Sequence, residues 1–434
     1  MTARAVLLEL RRGTGVVLLA ALAAVGSLMS VMAAVSADRQ TAWSGSGPGV
    51  VSWLNTAGLL LGPIAAAAGA WVGGRERRLG VQELLAAVPK ARWRRDLAGF
   101  GALGAAVAGG LALVAVLVAA TVLPAFSYGG GRWPLSALLV LLGCVACLAI
   151  GFGIGRLVPH RWTAPVVALG VYLLSGVPTY LDSGVAQLAP VSNLPAGDGQ
   201  RLRLAVAALA VGWLVGLSAT AFLIGSARRR GWAGLPALMA ILVAVPLALL
   251  PVGWNGNSYS AAWTEPDPDA MARVCSTGTP TVCLNAVHAA LLPAVTELAR
   301  PILAELPPDS VAAEQGVEHP AERPTTAAGE LAIPFLEGRA AWFSAELRDP
   351  ERLRTELAQS FLRPWCTDQT GVVDRAYDLA ITLVPAGRGA GEPGGDQLSA
   401  RLRADPAARR AWLASYLDAG RRCDLATYNA LVGR

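Results

Sequence analysis

Over the first 250 residues, long apolar runs alternate with short polar segments. Seven such runs can be drawn, about Gly15–Ala37, Val50–Val72, Leu97–Leu123, Pro134–Gly155, Trp162–Leu181, Leu204–Gly225 and Trp232–Val252. Between their ends none carries Asp, Glu, Lys, Arg or His. A stretch of roughly 20 apolar residues coiled as a helix matches the hydrocarbon thickness of a bilayer. The pattern therefore predicts an all-α, polytopic membrane helix bundle of about seven spans. Arg4, Arg11 and Arg12 precede the first run as they would in a secretory signal. That run is too long for a signal core and six more follow, so it reads as an uncleaved first span.

The polar segment Arg75–Arg95 departs most from an ordinary connection. Seven of its residues are basic (Arg75, Arg77, Arg78, Lys90, Arg92, Arg94 and Arg95), against Glu76, Glu83 and the adjoining Asp96. Within it Val81, Leu84, Leu85 and Val88 recur at helical spacing and make one apolar stripe. Pro89 stops that helix. Such a short amphipathic helix suits two settings, a lipid surface or the docking face of a soluble partner.

Charge orients the bundle. With the N-terminus inside, the cytoplasmic segments hold fifteen basic residues and the outer loops four: Arg39, Arg132, Arg201 and Arg203. Positive charge collects on the cytoplasmic side of membrane proteins. Arg201 and Arg203, at the outer end of the sixth span, would have to snorkel to the interface. An odd number of spans then leaves the chain beyond Gly253 outside the cell. Residues up to Trp254 carry net +12, and the remainder carries −6. Two domains are expected, residues 1–253 in the membrane and 254–434 extracytoplasmic.

Cysteine placement agrees with that division. Cys144 and Cys147 fall within the fourth span, where packing is the simplest role. Cys275, Cys283, Cys366 and Cys423 all fall in the second domain, an even number in an oxidising compartment. Of the three possible pairings, Cys275–Cys283 with Cys366–Cys423 is favoured. Zinc is the competing reading, because His288 lies near Cys283, but no CxxC or HExxH accompanies it. The domain reads as mainly helical, with helices over Leu284–Glu305 (bent or divided by Pro293 and Pro301), Ala341–Leu362 and Leu398–Gly420.

Several functions lose support. No nucleophile elbow, phosphate loop or catalytic carboxylate pair stands in recognisable context, so neither catalytic nor cofactor residues are assigned. A tethered extracellular hydrolase has no constellation to support it. Ion-coupled carriers usually need an ionisable group within the membrane, and its absence from these runs weakens that reading. The Gly151–Gly155 repeat lies inside a span, where its spacing, like that of Gly212 and Gly216, suits close helix contact rather than nucleotide binding. The pI of 9.2 reflects charge at membrane boundaries and suggests no nucleic-acid role.

A cytoplasmic N-terminus, a short outer loop and a basic segment with ELLAAVPKARWRR between spans two and three resemble the ABC-2 type of ABC transporter permease. In that family this segment is a coupling helix. The resemblance covers roughly residues 1–253 and assigns coupling to Val81, Glu83, Leu84, Leu85, Val88, Pro89, Lys90 and Arg92. It implies a bacterial cell-membrane exporter working as a homodimer or heterodimer of permeases with a separate ATPase, which would carry the hydrolytic chemistry. The family usually has six spans and ends inside, whereas seven spans and a cysteine-bearing outer domain are expected here. Lys90 is the sole lysine among 36 basic residues, usage that suggests a GC-rich bacterium such as an actinobacterium. The alternative function is a membrane-anchored sensor or envelope assembly protein whose outer domain binds a ligand or partner.

Overall fold

In the computed structural model the described residues are 14–35, 46–81, 92–123, 126–180, 184–191, 199–227, 230–250, 254–255, 258–259, 263–308, 310–315, 330–336, 347, 349–364, 366, 371–385 and 397–433. The chain divides into two compact units. The first comprises residues 1–39, 47–121 and 129–265, the second 40–46, 122–128 and 266–434.

The first unit is a bundle of seven helices among the described residues: α1 (Thr14–Val35), α2 (Gly47–Gly73), α3 (Arg92–Val122), α4 (Trp133–Leu157), α5 (Thr163–Gly176), α6 (Leu204–Ser226) and α7 (Gly234–Ala248). Six helices of the described chain are long and apolar enough to cross a membrane, five of them here. The sixth, Ala286–Leu303, belongs to the second unit, where one of its faces forms core. The apolar segments Thr14–Ser30 and Thr163–Gly176 are shorter. Helices α1 and α6, and α4 up to Arg156, show no polar face, the pattern of helices that are buried or span a membrane.

Glycine sets the packing of this bundle. A Cβ on Gly151 would collide with the Ala66 carbonyl oxygen, and one on Gly155 with that of Ala70. Gly69 and Gly73 of α2 lie equally close to the backbone of Leu148 and Phe152. On the other side of α4, Gly153 abuts the Ala221 carbonyl of α6. Helix α4 therefore touches both neighbours backbone to backbone. Gly216 plays the same part between α6 and α7, against Ala240. A third groove, at Gly62 and Gly143, receives Pro190 and Val191 from the α5–α6 connection. Non-helical backbone at that depth is tolerated because protein surrounds it; Val191 is 2% exposed.

The second unit is built differently. Strands β3 (Arg273–Cys275), β4 (Val282–Asn285), β5 (Val311–Glu314) and β6 (Glu330–Ile333) form a four-stranded sheet in that order, antiparallel at the first pairing and parallel at the other two. (β1, Gln200–Leu202, pairs with β2, Thr264–Pro266, in the first unit.) Helix α8 (Leu292–Leu303) packs on β4, and α9 (Pro350–Leu362) on β6. Leu284, Val295, Ile302, Ile333, Leu357 and Phe361 fill the space between. The remaining helices are α10 (Val372–Leu383), α11 (Gln397–Ala404), α12 (Pro406–Arg422) and α13 (Leu425–Leu431). Trp412 stacks on Tyr416, whose hydroxyl donates to the Leu362 carbonyl at 2.7 Å.

Helix remains the dominant element, but the sheet corrects the sequence reading at particular points. Leu284 lies in a strand rather than opening a long helix. Pro293 occupies the first turn of α8 and Pro301 its last, so neither divides it. The expected Leu398–Gly420 helix is two, because Asp405 ends one and caps the next by accepting from Ala407 and Ala408 N–H. Helix α9 begins at Pro350; residues 341–346 lie outside the described residues.

Two disulfides staple the unit. Cys275 and Cys283 are directly opposed on β3 and β4 and are bonded. Cys366 and Cys423 are bonded across a separation of 57 residues, tying the segment after α9 to the end of α12. The unit also takes in the connections before α2 and α4. There Ser127 donates to the Val287 carbonyl and Tyr128 to the Asp267 carboxylate, each at 2.5 Å.

The backbone contact between α2 and α4 makes a direct prediction. Gly151→Val must force the helices apart and should cost about 3 kcal/mol, seen as a lowered thermal midpoint of the full-length protein in detergent. Gly104→Ala, where a Cβ meets nothing within 4 Å, should leave the midpoint unchanged or slightly raised. Equal midpoints for the two variants would show that α4 is not packed this closely.

Candidate functional site

The two ends of α4 carry different polar clusters. At its C-terminal end Arg156 is 4% exposed. One guanidinium nitrogen donates to Glu76 at 2.5 Å and another to Asp96. Glu76 sits in a one-turn helix, Arg75–Arg78, just after α2. Asp96, 5% exposed, sits in the first turns of α3, with Arg92 Nε at 4.0 Å. The Arg156 guanidinium thus faces two carboxylates, with Arg95 and Arg92 also near enough to act on Glu76. Pairing and hydrogen bonding are the conditions under which charges can be held out of water. Burial pushes the Glu76 carboxyl upward, but the Arg156 hydrogen bond and charge outweigh it, and the group is held below its ordinary range.

An aromatic layer adjoins the cluster. Phe100 of α3, Phe152 of α4 and Phe222 of α6 meet with ring centroids 5.1–5.9 Å apart. The Arg156 guanidinium lies 5.7 Å from the Phe152 ring. Three helices and the start of the basic segment thus converge on one arginine.

The segment predicted to couple is flanked by these residues. Val81 follows a turn at Leu79–Gly80 and donates its N–H to the Glu76 carbonyl at 3.2 Å. Arg92 is the first residue of α3, which starts five residues earlier than its apolar run suggests. Glu83, Leu84, Leu85, Val88, Pro89 and Lys90 lie outside the described residues. What the sequence reading missed is the pair of acids at the segment's two flanks. Its signal was Glu76 and Asp96 standing in an otherwise basic region, each with a helix end nearby.

The opposite end of α4 has its own network. Arg132, preceding the helix, donates to the Leu202 carbonyl at 2.5 Å and pairs with Glu265 at 3.3 Å. Arg201 reaches the same carboxylate at 2.8 Å, and Arg203 Nε donates to the Thr264 carbonyl at 2.8 Å. Arg201 and Arg203 are therefore bonded within the protein, where snorkelling was expected. Trp263 donates to Gln187 at 2.8 Å. Beneath lies a cavity of about 30 Å³ lined by Asn55, Val140, Gln187, Trp213 and Trp263. That volume holds one or two waters.

In the second unit His288, weighed as a zinc ligand, bonds Glu314 through Nδ1 at 2.6 Å. The fully buried Glu314 carboxylate also accepts the N–H groups of Asn285 (2.8 Å) and Leu336 (2.9 Å). With Cys283 disulfide-bonded, these residues join β4 to the ends of β5 and β6. Among the described residues no three His, Cys, Asp or Glu side chains gather as a metal would require.

Removing one partner from a buried ionic cluster strands the others. Arg156→Ala leaves two carboxylates facing each other and should cost about 3–5 kcal/mol, whereas Glu76→Gln, on the more exposed arm, should cost less. Thermal unfolding of the two variants checks the order. A harmless Arg156→Ala would remove the cluster from the account.

Comparisons with protein-family models, curated proteins and solved structures return no match to this chain.

Proposed function

We propose that the chain is the membrane-spanning permease subunit of a bacterial ABC transporter of the ABC-2 type, an exporter driven by a separate ATPase. The observation that carries this reading is the grip on Arg156 by both flanks of the basic segment. Glu76 before it and Asp96 after it hold the end of α4. A force applied to residues 81–91 then reaches α4 through charge-assisted bonds, and α2 and α6 through the glycine contacts. Closure of two ATPase subunits around nucleotide supplies that force, and the bundle shifts between inward- and outward-open populations. The working particle pairs two permeases with two ATPases, and the hydrolytic chemistry stays on the partner.

Seven spans belong to the same proposal. Helix α5 extends about 21 Å at 1.5 Å per residue, and the 3-10 turn Val177–Tyr180 continues it to about 29 Å. The basic end is assigned to the cytoplasm by its charge. The other end of the bundle is assigned outside, and so are residues 266–434. Support comes from the two disulfides and from Ser127 and Tyr128, whose connection shares a compact unit with that domain. That unit's self-contained core also favours the second reading, a sensor or envelope assembly protein.

Docking is tested by Leu84→Asp and Leu85→Asp, either of which sets an unpaired charge in the proposed contact. Such a loss costs roughly 2–5 kcal/mol, so the ATPase should no longer co-purify in mild detergent. An unaltered ATPase yield at normal expression would leave the helix on lipid and the permease reading without its motor.

A further inference from the structure

The basic end of the bundle carries a second pattern that transport does not require. Among the described residues, five tryptophans of the first unit are exposed, and four of them lie at this end: Trp71 (49%), Trp93 (43%), Trp162 (61%) and Trp232 (72%). They stand at the ends of four different helices, α2, α3, α5 and α7. Among the described residues Trp133 is the exposed tryptophan of the other end. Three of the four indoles have an arginine over the ring: Arg78 at 4.4 Å from Trp71, Arg94 at 5.3 Å from Trp93 and Arg161 at 5.9 Å from Trp162.

Indoles at this level suit the headgroup region, where an apolar ring and a polar N–H are both solvated. The arginines add a distinct property. Arg94 and Arg161 are exposed and pair with no carboxylate among the described residues. That contrasts with Arg156, neutralised by two acids a short distance inward. A guanidinium held against a ring keeps its outward N–H donors, and their fork matches two phosphate oxygens.

We propose that this belt is a binding surface for anionic phospholipid headgroups, with Arg94 and Arg161 as phosphate ligands and their indoles fixing the guanidinium planes. Charge complementarity selects the occupant, because the surface offers unpaired cations beside apolar rings. The inference does not depend on the transport reading, since any function of this bundle would carry the same belt.

The full-length protein in phosphatidylcholine vesicles, with a trace of spin-labelled phosphatidylglycerol or spin-labelled phosphatidylcholine, tests it. The motionally restricted fraction of each label gives their relative affinity. Phosphatidylglycerol should be favoured by roughly two- to fivefold at low salt, and the preference should collapse at 1 M salt, where screening acts within about 3 Å. It should fall to about one in the Arg94→Gln/Arg161→Gln variant and survive Arg421→Gln in the second unit. No preference in the unaltered protein, a preference indifferent to salt, or one retained by the double variant would overturn the proposal. Loss of ATPase co-purification by the double variant, without any lipid preference in the unaltered protein, would assign the surface to a protein partner instead.

Discussion

Much of the first unit depends on one close contact, the backbone-to-backbone approach of α2 and α4 at Gly151 and Gly155 against Ala66 and Ala70. Between lipid-solvated helices there is no hydrophobic drive to associate, because tails are as apolar as leucine. Dispersion at short range and satisfied polar groups must supply the attraction. Glycines at four-residue spacing make the short range possible. The same contact positions the chemistry, because Arg156 follows Gly155 directly and α2 delivers Glu76 three residues after Gly73. If α4 stood a side chain's width away, the guanidinium could not reach the acids of the α2–α3 connection.

Helix α4 thereby joins two unlike ends. One end is a cluster in which two carboxylates hold Arg156 beside a layer of phenylalanines. The other is a lattice in which Glu265 serves Arg132 and Arg201 together while β1 and β2 pair. Both solve one problem, the cost of charge close to a low-dielectric slab, by pairing within the protein. They differ in what they fasten. The Arg156 cluster holds the flanks of the amphipathic segment. The Arg132 lattice holds the chain as it leaves the bundle. A push at the first end and an anchor at the second are what a lever needs, and this is the physical content of the permease reading.

The apolar runs were legible from the sequence because hydropathy and length suffice to find lipid-solvated helices. The glycine spacing of α4 also pointed to close packing before any partner was known. The second unit was harder to read. Strands such as VCLN, VAAE and ELAI are four residues long and bounded by weak turn signals, and two of them carry alanine. Their pairing is decided by tertiary burial, not local preference. Asp405 within an otherwise helical stretch was a capping residue in plain view, and Pro406 after it marked a new first turn. The Arg156 cluster was hidden for another reason. Arg156 is 80 residues from Glu76 and 60 from Asp96, and only the fold brings them together. In the sequence Glu76 and Asp96 look like dilution of a basic loop, when they are its fastening points.

The permease proposal requires the two ends of α4 to face different compartments, since a partner ATPase would reach only the cytoplasmic side. Labelling single cysteines with a membrane-impermeant thiol reagent in intact cells measures this, after Cys144 and Cys147 are replaced by alanine. His160→Cys, beside the end of α4 near Arg156, should react only after the cells are opened. Ala400→Cys, in the second unit, should react in intact cells. Reaction of position 160 but not position 400 in intact cells would turn the bundle over and contradict the account.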